Sequence, residues 1–282
     1  MVAAVMAAVM SVKADDVKPV EFAYEAGAEL VSAYLWRGQY NGGLSIQPTA
    51  LVGFDANNVD IQFRAGVWSS FGLSDWKFQK GLSIDAEGNN PNTHFIPEID
   101  FTASLRLWGA TLGVTHYYYF GGEPFFSGLE DGGSQTEVQL GYDLGNVLED
   151  MNFYINWYTM VAGGDAWYDE NDKAHRAFSS YIEIGYDLEL PLDMKLGLQL
   201  GMTPWKSMYT DYEGGFAVNN ISARFGKTWS LGDDTCELEL FALGSINTYD
   251  IRKNNLYIDA AGSNKLGAAQ KLNGCIGLGV WF

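Results

Sequence analysis

The chain has 282 residues, 47% of them hydrophobic, with 17 basic against 35 acidic side chains and a formal charge of -18. Binding nucleic acid depends on neutralising phosphates with Lys and Arg, so this balance argues against DNA or RNA as a partner. Mean hydropathy is -0.09, no run approaches the roughly 20 apolar residues of a spanning helix, and Cys236 and Cys275 stand alone without metal spacing. A disulfide scaffold, a zinc module and a lipoprotein therefore lose ground, two idle thiols are expected over a bridge, and no cofactor is expected.

The opening "MVAAVMAAVMSVKADD" carries an apolar run from Val2 to Val12, followed by Lys13 and Ala14. It is read as an export signal over 1–14, without the usual basic start, against the alternative of a short core helix. Residues 15–27 are expected to form a periplasmic N-terminal segment, and the barrel described below is expected over 28–282.

From residue 28 onward the chain alternates with a period of two. In "EIDFTASLRLW", Ile99, Phe101, Ala103, Leu105 and Leu107 share one face, while Asp100, Thr102, Ser104, Arg106 and Trp108 share the other. "SYIEIGYDLEL" and "DMKLGLQLGM" repeat the pattern. About twelve such strands are expected, at 28–37, 45–54, 59–69, 97–108, 111–120, 135–144, 151–162, 178–190, 193–203, 216–230, 236–248 and 271–282. Their connections alternate short and long. An even number of strands with turns at one end and loops at the other predicts a closed antiparallel transmembrane β-barrel, with short periplasmic turns and long extracellular loops. A soluble sandwich or lipocalin-like fold would need the apolar faces turned inward. The last segment, "KLNGCIGLGVWF", would pair with the first, and its terminal Phe resembles the signal read by the outer-membrane assembly machinery. Lipid and that machinery are the expected partners.

Aromatic residues make up 15% of the chain and cluster at strand ends, as membrane girdles do. Trp36, Trp68, Tyr118, Phe120, Trp205, Trp281 and Phe282 are the expected interface residues.

The stretch "AELVSAYLWRGQYNGGLSIQP", from Ala28 to Pro48, resembles the first strand of a family of uncharacterised exported bacterial outer-membrane β-barrels with an S-x-Y-x-W/F-R-G motif. Here the motif residues are Ser32, Tyr34, Trp36, Arg37 and Gly38. "VDIQFRAGVWSS" and "IPEIDFTASL" look like that family's next strands. The resemblance covers the first half of the chain, implies an outer-membrane barrel and brings no activity with it.

Polar faces turned inward place Arg64, Glu183, Arg224 and Glu239 near mid-height, with Arg106, Asp187 and Lys195 nearer the short turns. These charges either line a conducting path or interlock into a plug. A conducting lumen with this acid excess would favour small cationic or neutral solutes. Two other readings stay open: a surface-binding barrel acting through its long loops, and a membrane lipid hydrolase. For the latter His116 is the one histidine expected on a barrel strand, with His94 and His175 expected in long loops, and no serine stands beside a histidine in a recognisable arrangement. In "GGDAWYDENDKAH", Asp165, Asp169 and Asp172 are candidate calcium ligands, although their spacing is not that of an EF-hand.

Overall fold

The computed structural model describes residues 20–282 apart from 57–58, 74–96, 121–123, 132–133, 149–150, 211, 213–214, 233–234 and 249–271. The expected signal segment and most of the two longest expected loops lie outside the described residues. The strands in chain order are β1 (Glu21–Val31), β2 (Tyr34–Trp36), β3 (Gln39–Gly42), β4 (Ser45–Ala56), β5 (Ile61–Gly72), β6 (Glu98–Leu107), β7 (Ala110–Tyr119) and β8 (Ser134–Asp143). They continue as β9 (Phe153–Gly163), β10 (Ala166–Tyr168), β11 (Ala174–Arg176), β12 (Ser180–Leu190), β13 (Met194–Thr203), β14 (Ala217–Leu231), β15 (Cys236–Ile246) and β16 (Leu272–Trp281). Twelve of them close an antiparallel barrel, while β2 with β3 and β10 with β11 form separate two-stranded hairpins.

Closure comes from β1, which pairs with β4 on one side and with β16 on the other, Glu29 opposite Gly279 and Leu30 opposite Leu278. Because every wall strand has two neighbours, the described barrel wall leaves no row of unpaired backbone groups as an edge. The alternation sets what each face carries. Leu30, Val52, Leu112, Leu140, Ile155, Leu240 and Ile276 are exposed on the outside, so the apolar faces are not turned inward as a sandwich would need. At the short-turn end the outer face carries exposed Tyr24, Trp108, Trp229 and Phe282, and at the long-loop end Phe120, Phe126 and Trp205.

The first strand differs from expectation. It begins at Glu21, so most of the segment assigned to 15–27 is barrel wall, and it leaves the wall after Val31. The chain then turns inside the barrel as the β2–β3 hairpin, with Trp36 opposite Gln39. The two residues between them, Arg37 and Gly38, have φ of 50° and 79°. Two consecutive left-handed residues make a type I′ turn, whose twist suits a two-residue hairpin. Alternation runs unbroken through Ser32–Trp36 and cannot register this change of direction, and the small residues Ala26 and Ala28 weaken the signal of the true strand. Cys236 and Cys275 are both free thiols.

Candidate functional site

The β2–β3 hairpin crosses the long-loop half of the lumen. At its base the Tyr34 ring lies 5.3 Å from that of Trp68 on β5. Further in, Trp36 meets Tyr117 of β7 edge-on at 5.8 Å and Tyr209 at 5.6 Å. At the tip, Asn273 of β16 donates to the Gly38 carbonyl at 2.9 Å. A Cβ on Gly38 would stand 2.5 Å from the Asn219 carbonyl oxygen, so close approach and positive φ both require glycine there.

Arg37 is the centre of this half. Its guanidinium donates to both Glu137 oxygens, Nη1 to Oε2 at 2.6 Å and Nη2 to Oε1 at 2.8 Å, and Nη1 also donates to the Tyr209 hydroxyl. Tyr117 donates to Glu137 Oε1 at 2.9 Å. The guanidinium carbon lies 4.2 Å from the Tyr158 ring centre, 4.8 Å from Tyr181 and 4.6 Å from Trp36. A planar fork on a carboxylate, faced by aromatic rings, is the arrangement that suits Arg and not Lys. Burial pushes the Tyr209 phenol up, against the pull of the Arg37 charge, so it stays a neutral hydroxyl. Two register irregularities sit at this level, between Thr136 and Glu137 of β8 and between Gly201 and Met202 of β13. Bulges re-aim side chains, and these fall beside Glu137 and across from Asn219 and Asn220. Tyr181 lies over Gly201, where an added Cβ would meet its hydroxyl at 1.9 Å.

The short-turn half is open. A cavity of about 770 Å³ is lined by Arg106, Asp143, Asn156, Glu183, Asp187, Glu189, Lys195 and Arg224, among others. A second of about 490 Å³ at the rim is lined by Glu25, Lys195, Arg224, Glu237, Glu239 and Trp281, among others. Together they present seven carboxylates and three cations. Arg224 is held by Glu239 and by Glu29 at 3.2 Å, and Arg106 by Asp143 at 3.0 Å. That leaves Lys195 among five further carboxylates, Glu25, Glu183, Asp187, Glu189 and Glu237. Glu183 is hydrogen-bonded by Tyr154, Asn156 and Gln199. Glu183, Asp187 and Glu189 stand at alternate positions of β12, below Tyr181.

The expected lumen residues Glu183, Arg224, Glu239, Arg106, Asp187 and Lys195 thus line these cavities. Arg64 also faces inward, bound to Asp55 through 2.6 and 2.9 Å hydrogen bonds, outside both cavities.

Three expected interface aromatics require correction. Trp36 is on the inward hairpin. Trp68 pairs with Asp100 and Thr49, which share the inner face. Trp281 lies over Gly27, where a Cβ would come within 2.3 Å of its ring, and it lines the rim cavity. Trp68 and Trp281 each have the inward parity of their wall strands. Tyr118, Phe120, Trp205 and Phe282 are on the outer face, where Tyr118 and Phe120 meet at 4.9 Å.

The carboxylates weighed as calcium ligands do not converge. Asp165 is wholly buried and accepts from the Ser179 amide at 2.8 Å and its hydroxyl at 2.5 Å. Asp169 instead bonds His175 Nε2 at 2.9 Å. Asp172 has φ of 57° in the turn of the β10–β11 hairpin. Among the described residues no group of three metal-ligating side chains could hold an ion. Both ring nitrogens of His116 are engaged on the outer face, by Thr136 Oγ1 at 2.9 Å and the Phe125 carbonyl at 2.8 Å. His94 lies outside the described residues.

Sequence reading missed the cage residues Arg37, Glu137, Tyr158, Tyr181 and Tyr209. The available signal was Gly38 between two short alternating segments, and it is weak because the hairpin dipeptides that a sequence announces carry Asn, Asp or Gly where Arg37 stands.

No family model matches the chain, and no curated protein matches it. Among solved structures it is similar to the NanC porin, at 11% identity and a TM-score of 0.43 over 92% of this chain and 99% of that one. It is also similar to Salmonella typhi OmpF in complex with daunomycin (9%, 0.37, covering 96% and 99%). A third is a deltaS2 mutant of the TodX monoaromatic hydrocarbon channel (11%, 0.37, covering 95% and 90%). At these scores the likenesses support nothing beyond themselves. The chain's own geometry defines a closed twelve-stranded β-barrel with a partly filled polar lumen.

Proposed function

We propose that this protein is an outer-membrane, porin-like barrel that passes small cationic or neutral solutes. Its short turns would face the periplasm and its long loops the exterior, and β16 would be the strand read by the assembly machinery. The exposed apolar band between two aromatic belts supports the membrane setting. One observation carries the functional reading: the 770 Å³ cavity in the short-turn half, in which acidic side chains outnumber cations. Such a surface concentrates cations and repels anions.

Single-channel recording in a planar bilayer under a salt gradient tests this. The expected result is discrete cation-preferring steps, with the preference reduced or reversed by Glu183→Gln combined with Glu239→Gln. A folded, heat-resistant barrel that stays silent even when residues 33–43 are replaced by a short Gly-Ser link overturns the reading. The hairpin across the lumen would then favour a second reading, a closed barrel that acts through its long loops.

A further inference from the structure

Arg37 reaches its cage from a tether. The hairpin belongs to no wall strand, and its tip holds a non-glycine residue at φ 50°, a conformation that L side chains disfavour. Under the tip, Asn219 is wholly buried, and neither polar atom of its side chain has a partner among the described residues. The turn keeps that conformation wherever the hairpin lies, but withdrawal would open Asn219 to water and relieve its cost.

Withdrawal would leave most of the cage behind. Glu137 and Tyr117 belong to β8 and β7, Tyr158 and Tyr181 to β9 and β12, and all four are wall residues. Only Trp36 leaves with the hairpin. What remains is a carboxylate already oriented by the Tyr117 hydroxyl, beside two rings that lie at cation–π distance from the point the guanidinium occupies. A carboxylate and two ring faces that converge on one point favour a cation, and the geometry fits a planar fork. Glu183 lies two residues along β12 from Tyr181, with Asp187 and Glu189 beyond it lining the cavity. That acidic row leads from the open half of the lumen to the cage.

We propose that Arg37 is a tethered stand-in for a free guanidinium-bearing solute, which binds the same Glu137–Tyr158–Tyr181 cage when the hairpin withdraws. The solute's own guanidinium takes both Glu137 oxygens and the two ring faces. Displacement of Arg37 then couples solute binding to opening of the long-loop half. The cage stands on its own geometry, and only the consequence for passage rests on the channel reading. A tethered competitor acts at high effective concentration, so the intact protein binds such a solute much more weakly than a chain without Arg37.

Calorimetry on the full, refolded chain in detergent tests this with arginine amide as the probe and lysine amide as the comparison. Arg37→Ala is expected to bind arginine amide about tenfold or more tighter than the unaltered protein, and Arg37→Met serves if the alanine variant does not refold. Adding Glu137→Gln should abolish the gain, and lysine amide should bind Arg37→Ala more weakly because an ammonium cannot span both oxygens. A folded Arg37 variant with no saturable binding overturns the proposal, as does equal binding of both probes that Glu137→Gln leaves unchanged. Recording the same variants in bilayers separates the two readings. Conduction without binding removes the cage and keeps the channel, whereas binding without conduction keeps the cage and removes the channel.

Discussion

At the long-loop end of the lumen, Arg37 and Glu137 form an ion pair whose side chains are 8% and 3% exposed. At the short-turn end, Arg106 and Asp143 form the same kind of pair at 31% and 44% exposure. The chemistry is shared and the surroundings are opposite. The first pair is closed in by Trp36, Tyr117, Tyr158, Tyr181 and Tyr209, and the second faces a cavity. What separates them is one hairpin of the chain itself. A barrel of this strand number is wider than one that side chains alone fill, and this protein fills half of its lumen with backbone and leaves the other half to charge.

The sharpest way to break the contrast is to unpair the enclosed cation. Glu137→Gln leaves Arg37 without its carboxylate in a site water barely reaches. The loss of stability should be about 3–5 kcal/mol, measured by denaturant unfolding in detergent or liposomes. Faster amide exchange in residues 34–42 should accompany it. The matching change in the open half is Asp143→Asn. Water screens that pair, so the same assay should show a loss of about 0.2–1 kcal/mol. Equal losses at the two sites would erase the difference between the halves.

The smallest expected effect is outside the barrel wall, in the β10–β11 hairpin. The hydrogen bond from His175 holds the Asp169 carboxyl below its ordinary value, helped by the Asn171 and Lys173 amides. A depressed carboxylate stabilises the fold above its unfolded pKa, and that contribution is lost as pH falls through the folded value. The Asn171 and Lys173 amides should therefore keep their protection near neutrality. They should lose it progressively as pH falls from about 4, the ordinary Asp value, through the lower folded value, and hydrogen exchange corrected for intrinsic rates would show this.

Much of the wall was legible in the sequence because it follows from parity. Glu183, Asp187 and Glu189 alternate with Ile184, Tyr186 and Leu188, and the barrel turns the first set in and the second out. The corrected positions are those where aromatic content at a strand end competes with parity or where parity carries no information. Trp281 shares its face with Gly277 and Gly279 and so points inward, although aromatic content at a strand end suggests a membrane girdle. Trp68 shares its face with Arg64 for the same reason. The hairpin was hidden because Ser32–Trp36 continues the alternation of β1, so only the Arg37–Gly38 turn marks the departure. The cage was out of reach for another reason: Arg37 and Glu137 are 100 residues apart, and no local pattern joins them.

The Arg37 latch stands between the closed half of the lumen and the open one. The most direct test compares single-channel conductance of Arg37→Ala, hairpin otherwise intact, with that of the unaltered protein in the same bilayer. A severalfold gain in conductance or open time, with cation preference retained, is the predicted result. Identical records from the two folded proteins would show that the latch does not control the path.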